Sequence, residues 1–221
     1  MFTPEIIELL KTGTLETLYM TLFTTVFGYI IGLPLGIILA LTDKNGLKPN
    51  PAIYKALDFI VNIIRSVPFL ILLIALMPFT KSVVGKSYGT AAMVVPLVIA
   101  AAPFIARMVE SSIKEVDDGV IEAARSMGAG IPTIVFRVMI VEAKTSLIDG
   151  ITIALGTIFG YSAMAGVTGG GGLGSIAVRY GLYRWEYNVM IVTVIVLVII
   201  VQVLQNLGAY ISKRTDKRRS V

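Results

Sequence analysis

Long uncharged runs separated by short charged stretches set the pattern of this chain. The first run, Leu18 to Leu41, holds 24 residues without a charge. At about 1.5 Å rise per residue such a helix covers roughly 36 Å, more than the ~30 Å core of a bilayer requires. A second run spans about Phe59 to Met77 and contains Arg65, and a third spans about Tyr88 to Ala106. The fourth, about Gly150 to Val167, is short. The fifth runs from about Tyr187 to Ile211, with Gln202, Gln205 and Asn206 near its end. The runs are continuous and do not alternate, so they predict transmembrane helices rather than barrel strands. The expected fold class is an all-α, polytopic membrane protein with five spans. No composition break marks a second unit, so residues 1–221 read as one transmembrane domain.

Composition agrees. Hydrophobic residues make up 56% of the chain and charged residues 15%, against about 25% charged in soluble domains. The mean hydropathy is +0.84. Without cysteine or histidine, the chain has no disulfide, thiolate nucleophile or His-dependent acid–base chemistry, and lacks the usual zinc ligands. The net charge of +5 matters less than its placement. With the N-terminus outside, the outer segments carry five Lys and Arg and the inner ones thirteen, while Arg65 lies within a span. That bias predicts N-out, C-in. The basic tail, Lys213 to Arg219, fits contact with an anionic cytoplasmic leaflet rather than with nucleic acid. Near the N-terminus, Glu5, Glu8 and Glu16 face only Lys11. A secretory signal wants the reverse, so the first apolar run is expected to be retained.

Gly28, Gly32 and Gly36 recur on one helical face and permit close approach of a second backbone, although glycine is also simply common in membrane helices. Pro34, Pro68, Pro96 and Pro103 fall within spans, where each removes a backbone donor. Between the third and fourth spans lie about forty residues. Asp117 and Asp118 there suit a helix start, Gly128 suits its end, and Pro132 suits the first turn of a second helix with Val135, Val138 and Met139 on its apolar side. Two short helices joined by a glycine turn are expected over about 117–141.

Glu122-Ala123-Ala124, three residues and then Gly128 resembles the EAA loop of ABC importer permeases. Val138 to Val141 stands where the family has Ile-x-Leu-Pro, so Val141 replaces the family's proline. Further strings, Asn62 to Phe69, Ala101 to Glu110, Gly160 to Met164 and Gly169 to Gly174 with Tyr180-Gly181, resemble the permeases of methionine ABC importers. The resemblance implies a type I importer permease fold and a homodimer in the cell membrane. It also implies a separate ATPase in two copies and an extracytoplasmic methionine-binding lipoprotein. Glu122, Ala123, Ala124, Arg125, Met127 and Gly128 would form the ATPase-docking coupling helix. ATP and Mg would be bound by that partner, leaving this chain without cofactor, metal or catalytic residue.

Tyr161, Ser162 and Met164 are candidates for the translocation path, since Met and aromatic side chains suit an apolar substrate with a polarisable sulfur. Ordinary helix packing is the competing reading. Arg65 is the cation inside a span and, with Pro68, a candidate gating or structural position. Gly169 to Gly174 contains a formal G-x-G-x-x-G but follows a membrane helix, so it is no dinucleotide site; it reads as a flexible outer loop or a re-entrant turn. No G-x-x-x-x-G-K-[ST] occurs. The functional expectation is ATP-driven methionine import by alternating access. The alternatives are a permease for another amino acid or small polar solute, an ion-coupled secondary carrier, and a membrane scaffold.

Overall fold

Helix α1 (Pro4–Thr42) is far longer than the uncharged run that announced it. Charge does not end a helix; Glu5, Glu8 and Lys11 lie exposed on turns that continue beyond the apolar stretch. The computed structural model describes residues 4–216. Lys217, Arg218 and Arg219 of the predicted basic tail lie outside the described residues.

Asn50 begins α2 (Pro51–Ser66), its side chain accepting the amides of Ala52 and Ile53 at 3.2 Å each. α3 (Phe69–Ala75) and α4 (Met77–Val84) follow, then α5 (Thr90–Lys114). A loop pair comes next: α6 (Asp118–Ser126), then α7 (Ile131–Thr133), a π-helical stretch (Ile134–Met139) and α8 (Ile140–Glu142). α9 (Lys144–Val167), α10 (Gly172–Ile176), a second π-helical stretch (Ala177–Tyr183) and α11 (Tyr187–Thr215) complete the described chain.

Four helices, α1, α5, α9 and α11, are each long and apolar enough to cross a membrane. The second predicted span is not one helix. α2 and α3 meet at a bend of 102°, at Val67-Pro68. Proline disfavours the helical conformation in the residue before it, and Val67 is extended, with φ −82° and ψ 126°. At Pro96 and Pro103 the same bias loses, because both are buried inside α5 and packing holds that helix together. Five spans therefore result only if the bent pair counts as one.

The glycine face is a packing face. Gly28, Gly32 and Gly36 are buried where α1 crosses α5. A β-carbon at Gly32 would sit 2.7 Å from the Ala102 carbonyl oxygen, and one at Gly36 2.5 Å from that of Ala106. Around this contact lies an inner cluster with Ile105, Val109, Ile113, Ala154 and Ile158. A second cluster contains Met20, Leu73, Met93 and Leu97. Large apolar residues on the outward faces, such as Phe27 and Ile30 on α1 and Ile195 and Ile199 on α11, are exposed. In a helix that is apolar all round, such faces meet lipid or another apolar surface.

The glycine run is no flexible loop. After α9 the chain turns back at Gly169 (φ +89°) and α10 packs along α9 and α1. Gly172, Leu173 and Gly174 are buried. Their amides need partners away from water: Gly172 donates to Glu16 Oε2 at 2.6 Å and Leu173 to Thr17 Oγ1 at 2.9 Å. Of the two expectations for this run, the re-entrant turn describes it.

Candidate functional site

The loop helix α6 has both ends fixed by local chemistry. Asp117 Oδ1 accepts the Gly119 amide at 2.8 Å. At the other end the Ala129 amide reaches the Ala124 carbonyl at 3.1 Å and the Gly128 amide reaches that of Arg125 at 2.9 Å. This pair of bonds is the Schellman arrangement, which needs a left-handed residue, and Gly128 has φ +81°. Nothing lies within 4 Å of a β-carbon there, so a side chain at 128 would meet only backbone strain. Gly128→Val should cost about 1–2 kcal/mol and raise exchange of the Ala129 amide about tenfold. Gly128→Asn should stay close to wild type, because asparagine tolerates this conformation. Equal exchange in both variants would count against this cap.

The side chains of α6 divide between two faces. Ala124 is 4% exposed and belongs to the inner cluster with Val135 and Met139. It seats α6 on its own chain, and its small size permits that seat. Ala123 and Met127 point outward, and Met127 is 82% exposed. Val120, which the motif did not flag, is exposed too. Positions 120, 123 and 127 have the spacing of one helical face, so α6 presents an apolar stripe to the outside. Glu122 and Arg125 border it and edge a cavity of about 410 Å³ that Asp43, Lys114 and Met139 also line. The second loop helix keeps Val135 and Met139 buried, as expected, but winds as a π-helix over them. Valine at 141 neither lacks an amide nor clashes, so the helix runs on to Glu142 and breaks at Ala143, where ψ is 0°. α9 then starts at Lys144, six residues before the predicted span.

A second cluster sits in the membrane segments. Tyr161 of α9 stacks on Phe69 of α3, ring centroids 4.4 Å apart and planes 8° from parallel. Both line a cavity of about 130 Å³ with Arg65, Ala100 and Phe104. Arg65 and Tyr161, expected in separate roles, are thus brought together by the break at Pro68. Ser162 is not part of this cavity. It is buried, and its hydroxyl donates to the Phe159 carbonyl of its own helix at 2.7 Å. Met164 is half exposed and lies outside the cavity lining.

One feature escaped the sequence reading. Arg107 of α5 bonds Asp58 and, at 3.0 Å, Asn62 of α2, and pairs with Glu110 at 2.6 Å. Glu110, 4% exposed, also accepts from Tyr54 at 3.2 Å and from Lys114 at 2.6 Å. Lys114 reaches Asp43, just past α1, at 3.0 Å. Burial pushes the Asp43 carboxyl up, but Lys114 and the Lys44 amide outweigh it and hold the group below its ordinary value. Spacings of three and four along α5 hinted at Arg107, Glu110 and Lys114 as neighbours. Their partners on α1 and α2 lie too far away in sequence for any local pattern to show.

A helical domain with four long apolar helices, a broken span and a capped, outward-facing loop helix has the make-up of an integral membrane component. The family model for the binding-protein-dependent transport system inner membrane component matches residues 32–217. The chain belongs to that family. It is 48% identical to the methionine import system permease protein MetP of Bacillus subtilis, covering 93% of each chain. It is 46% identical to the D-methionine transport system permease protein MetI of Escherichia coli over 72% of this chain and 73% of that one. A chain of the MetNI methionine ABC transporter in an inward-facing form superposes with a TM-score of 0.96 at 43% identity, covering 98% of this chain and 100% of that one.

Proposed function

We propose that this chain is the permease subunit of an ATP-driven methionine importer in the cell membrane. Two copies would form the path, an ATPase subunit would dock on each α6, and an extracytoplasmic binding protein would deliver L- or D-methionine. The observation that carries the reading is α6 itself: a rigidly capped helix with an exposed apolar stripe, in a chain similar over nearly its whole length to methionine permeases. Only Glu115 to Asp117 separate α6 from α5, so a push on α6 would pass directly into a span as a rigid-body displacement. ATP and Mg would belong to the ATPase, and the chain itself would carry out no catalysis. An N-out, C-in orientation would put α6 and the Lys and Arg excess on the cytoplasmic side.

An ion-coupled carrier usually uses acids within the membrane segments. The buried acid of α5, Glu110, already bonds Arg107, Lys114 and Tyr54, which argues against it as a proton carrier. Reconstitution with a cognate ATPase and binding protein tests the reading. Uptake of labelled L- and D-methionine should require ATP and exceed that of other amino acids. Uptake by this chain alone under an ion gradient would overturn the ATP-driven mechanism. Uptake confined to another solute would overturn the substrate.

A further inference from the structure

The cavity between α2, α3, α5 and α9 has three properties that belong together. It holds one cation, Arg65, and no acidic side chain lines it. Arg65 forms no ion pair or side-chain hydrogen bond among the described residues. Arg65 is exposed in the single chain, so its guanidinium stands open to an anion that enters the cavity, and cations within membrane segments mark ligand or ion pathways. The lining also includes the stacked Phe69–Tyr161 pair, with Leu72, Ala100 and Phe104. Ala100 and Phe104 fall in the middle of α5, far from either end of that span.

The break at Val67-Pro68 makes this arrangement. Had α2 continued straight, Phe69 would follow Arg65 one turn along the same helix. The bend instead turns α3 toward α9, so that the ring of Phe69 meets Tyr161 and Arg65 stands in the last turn of α2 beside the gap. The volume, about 130 Å³, lies below the ~300–1,000 Å³ of pockets for drug-sized ligands. It excludes a sugar chain or a peptide, and a free amino acid would fill it and extend into its mouth.

We propose that this cavity is a transit site for an amino acid with an apolar side chain, its carboxylate held by the Arg65 guanidinium and its side chain laid against the Phe69–Tyr161 pair. Guanidinium matches a carboxylate with two parallel N–H donors. A thioether gains favourable contacts with aromatic rings, so methionine fits both halves. The ammonium group finds no partner in the lining and points to the mouth. One carboxylate contact and one apolar wall hold the substrate weakly, as passage requires. The proposal rests on the amino-acid importer reading above.

The test uses the assembled permease–ATPase complex in nanodiscs without binding protein. Equilibrium binding of methionine is compared with that of methioninol, which carries an alcohol in place of the carboxylate. The wild-type complex should prefer methionine at least tenfold, about 1.4 kcal/mol. Arg65→Gln should bring the ratio close to one and Arg65→Lys should keep part of it. Tyr161→Ala should weaken both ligands several-fold and leave the ratio intact, which a merely structural role for Arg65 would not predict. No saturable methionine binding in the wild type, or an undiminished ratio in Arg65→Gln, overturns the site. ATP-driven uptake by the wild-type complex is measured alongside. If methionine is not imported, the functional reading fails, and the pair is repeated with the imported amino acid and its amino alcohol. If methionine is imported but the ratio does not respond to Arg65, the site alone fails.

Discussion

Gly36→Ala is expected to destabilise the folded chain markedly, whereas Gly28→Ala, eight residues away on the same face, is expected to be tolerated. At Gly36 the new methyl would lie 2.5 Å from the Ala106 carbonyl oxygen and 2.7 Å from Val109 Cβ. Neither atom is the end of a flexible side chain, so α1 and α5 must move apart along their main contact. Overpacking of this kind costs about 1–3 kcal/mol, and Gly36→Val, with two further methyls, should prevent accumulation of folded protein. At Gly28 the near atom is Ile105 Cδ1 at 2.8 Å, with Ala101 Cβ at an ordinary 3.5 Å. A rotation of Ile105 relieves that contact, and Ile105→Val should abolish any residual cost. Thermal unfolding of the purified permease checks the series, at roughly 2–4 °C per kcal/mol for a chain of this length. Equal shifts for Gly28→Ala and Gly36→Ala would mean that the stripe is not the close backbone contact.

The glycine series also shows why some of this fold was legible without coordinates. A period of four puts three glycines on one side of a helix whatever else the chain does, so the face could be named before its partner was known. Cap chemistry is equally local: Asp117 and Gly128 mark the ends of α6 because a helix end leaves free amides and carbonyls within a few residues. Hydropathy, in contrast, reports composition and not direction. Phe59 to Met77 passes as one apolar run although the chain turns by 102° within it. Nor does charge stop a helix once the turns extend beyond the membrane, which is why α1 begins at Pro4.

Side-chain direction was the harder part. Ala124 belongs to the docking motif by position, yet the rotation of α6 on its own chain buries it. Val120 lies outside the motif, and the same rotation exposes it. Ser162 sits between two path candidates and bonds back to its own helix. Such outcomes depend on how a helix is rolled against its neighbours, which no single motif encodes. The meeting of Arg65 with Tyr161 is of the same kind, since it needs the bend at Pro68 and the closeness of α3 and α9 together.

Arg107→Ala is expected to be the most damaging of the charge substitutions, in stability and in coupling. The guanidinium joins α2 to α5 through Asp58 and Asn62 while neutralising Glu110. Removing it leaves Glu110, 4% exposed, with Lys114 as its sole cation, and leaves Asp58 bonded only through Asn62. Breaking a buried ion pair from one side costs about 3–5 kcal/mol, which converts to a fall in thermal midpoint on the order of 10 °C. Arg107→Lys keeps the charge but not the fork that reaches three partners, so an intermediate loss is expected. Asp58→Asn, which leaves the Glu110 pair intact, should cost least. The functional consequence follows from position: α6 connects to the end of α5 through three residues, and the network clamps that end to α1 and α2. In the reconstituted importer, Arg107→Ala should therefore retain the ATPase on α6 but consume several-fold more ATP per substrate imported. Unchanged stability and unchanged ATP consumption in this variant would show that the α1–α2–α5 clamp does not transmit the movement.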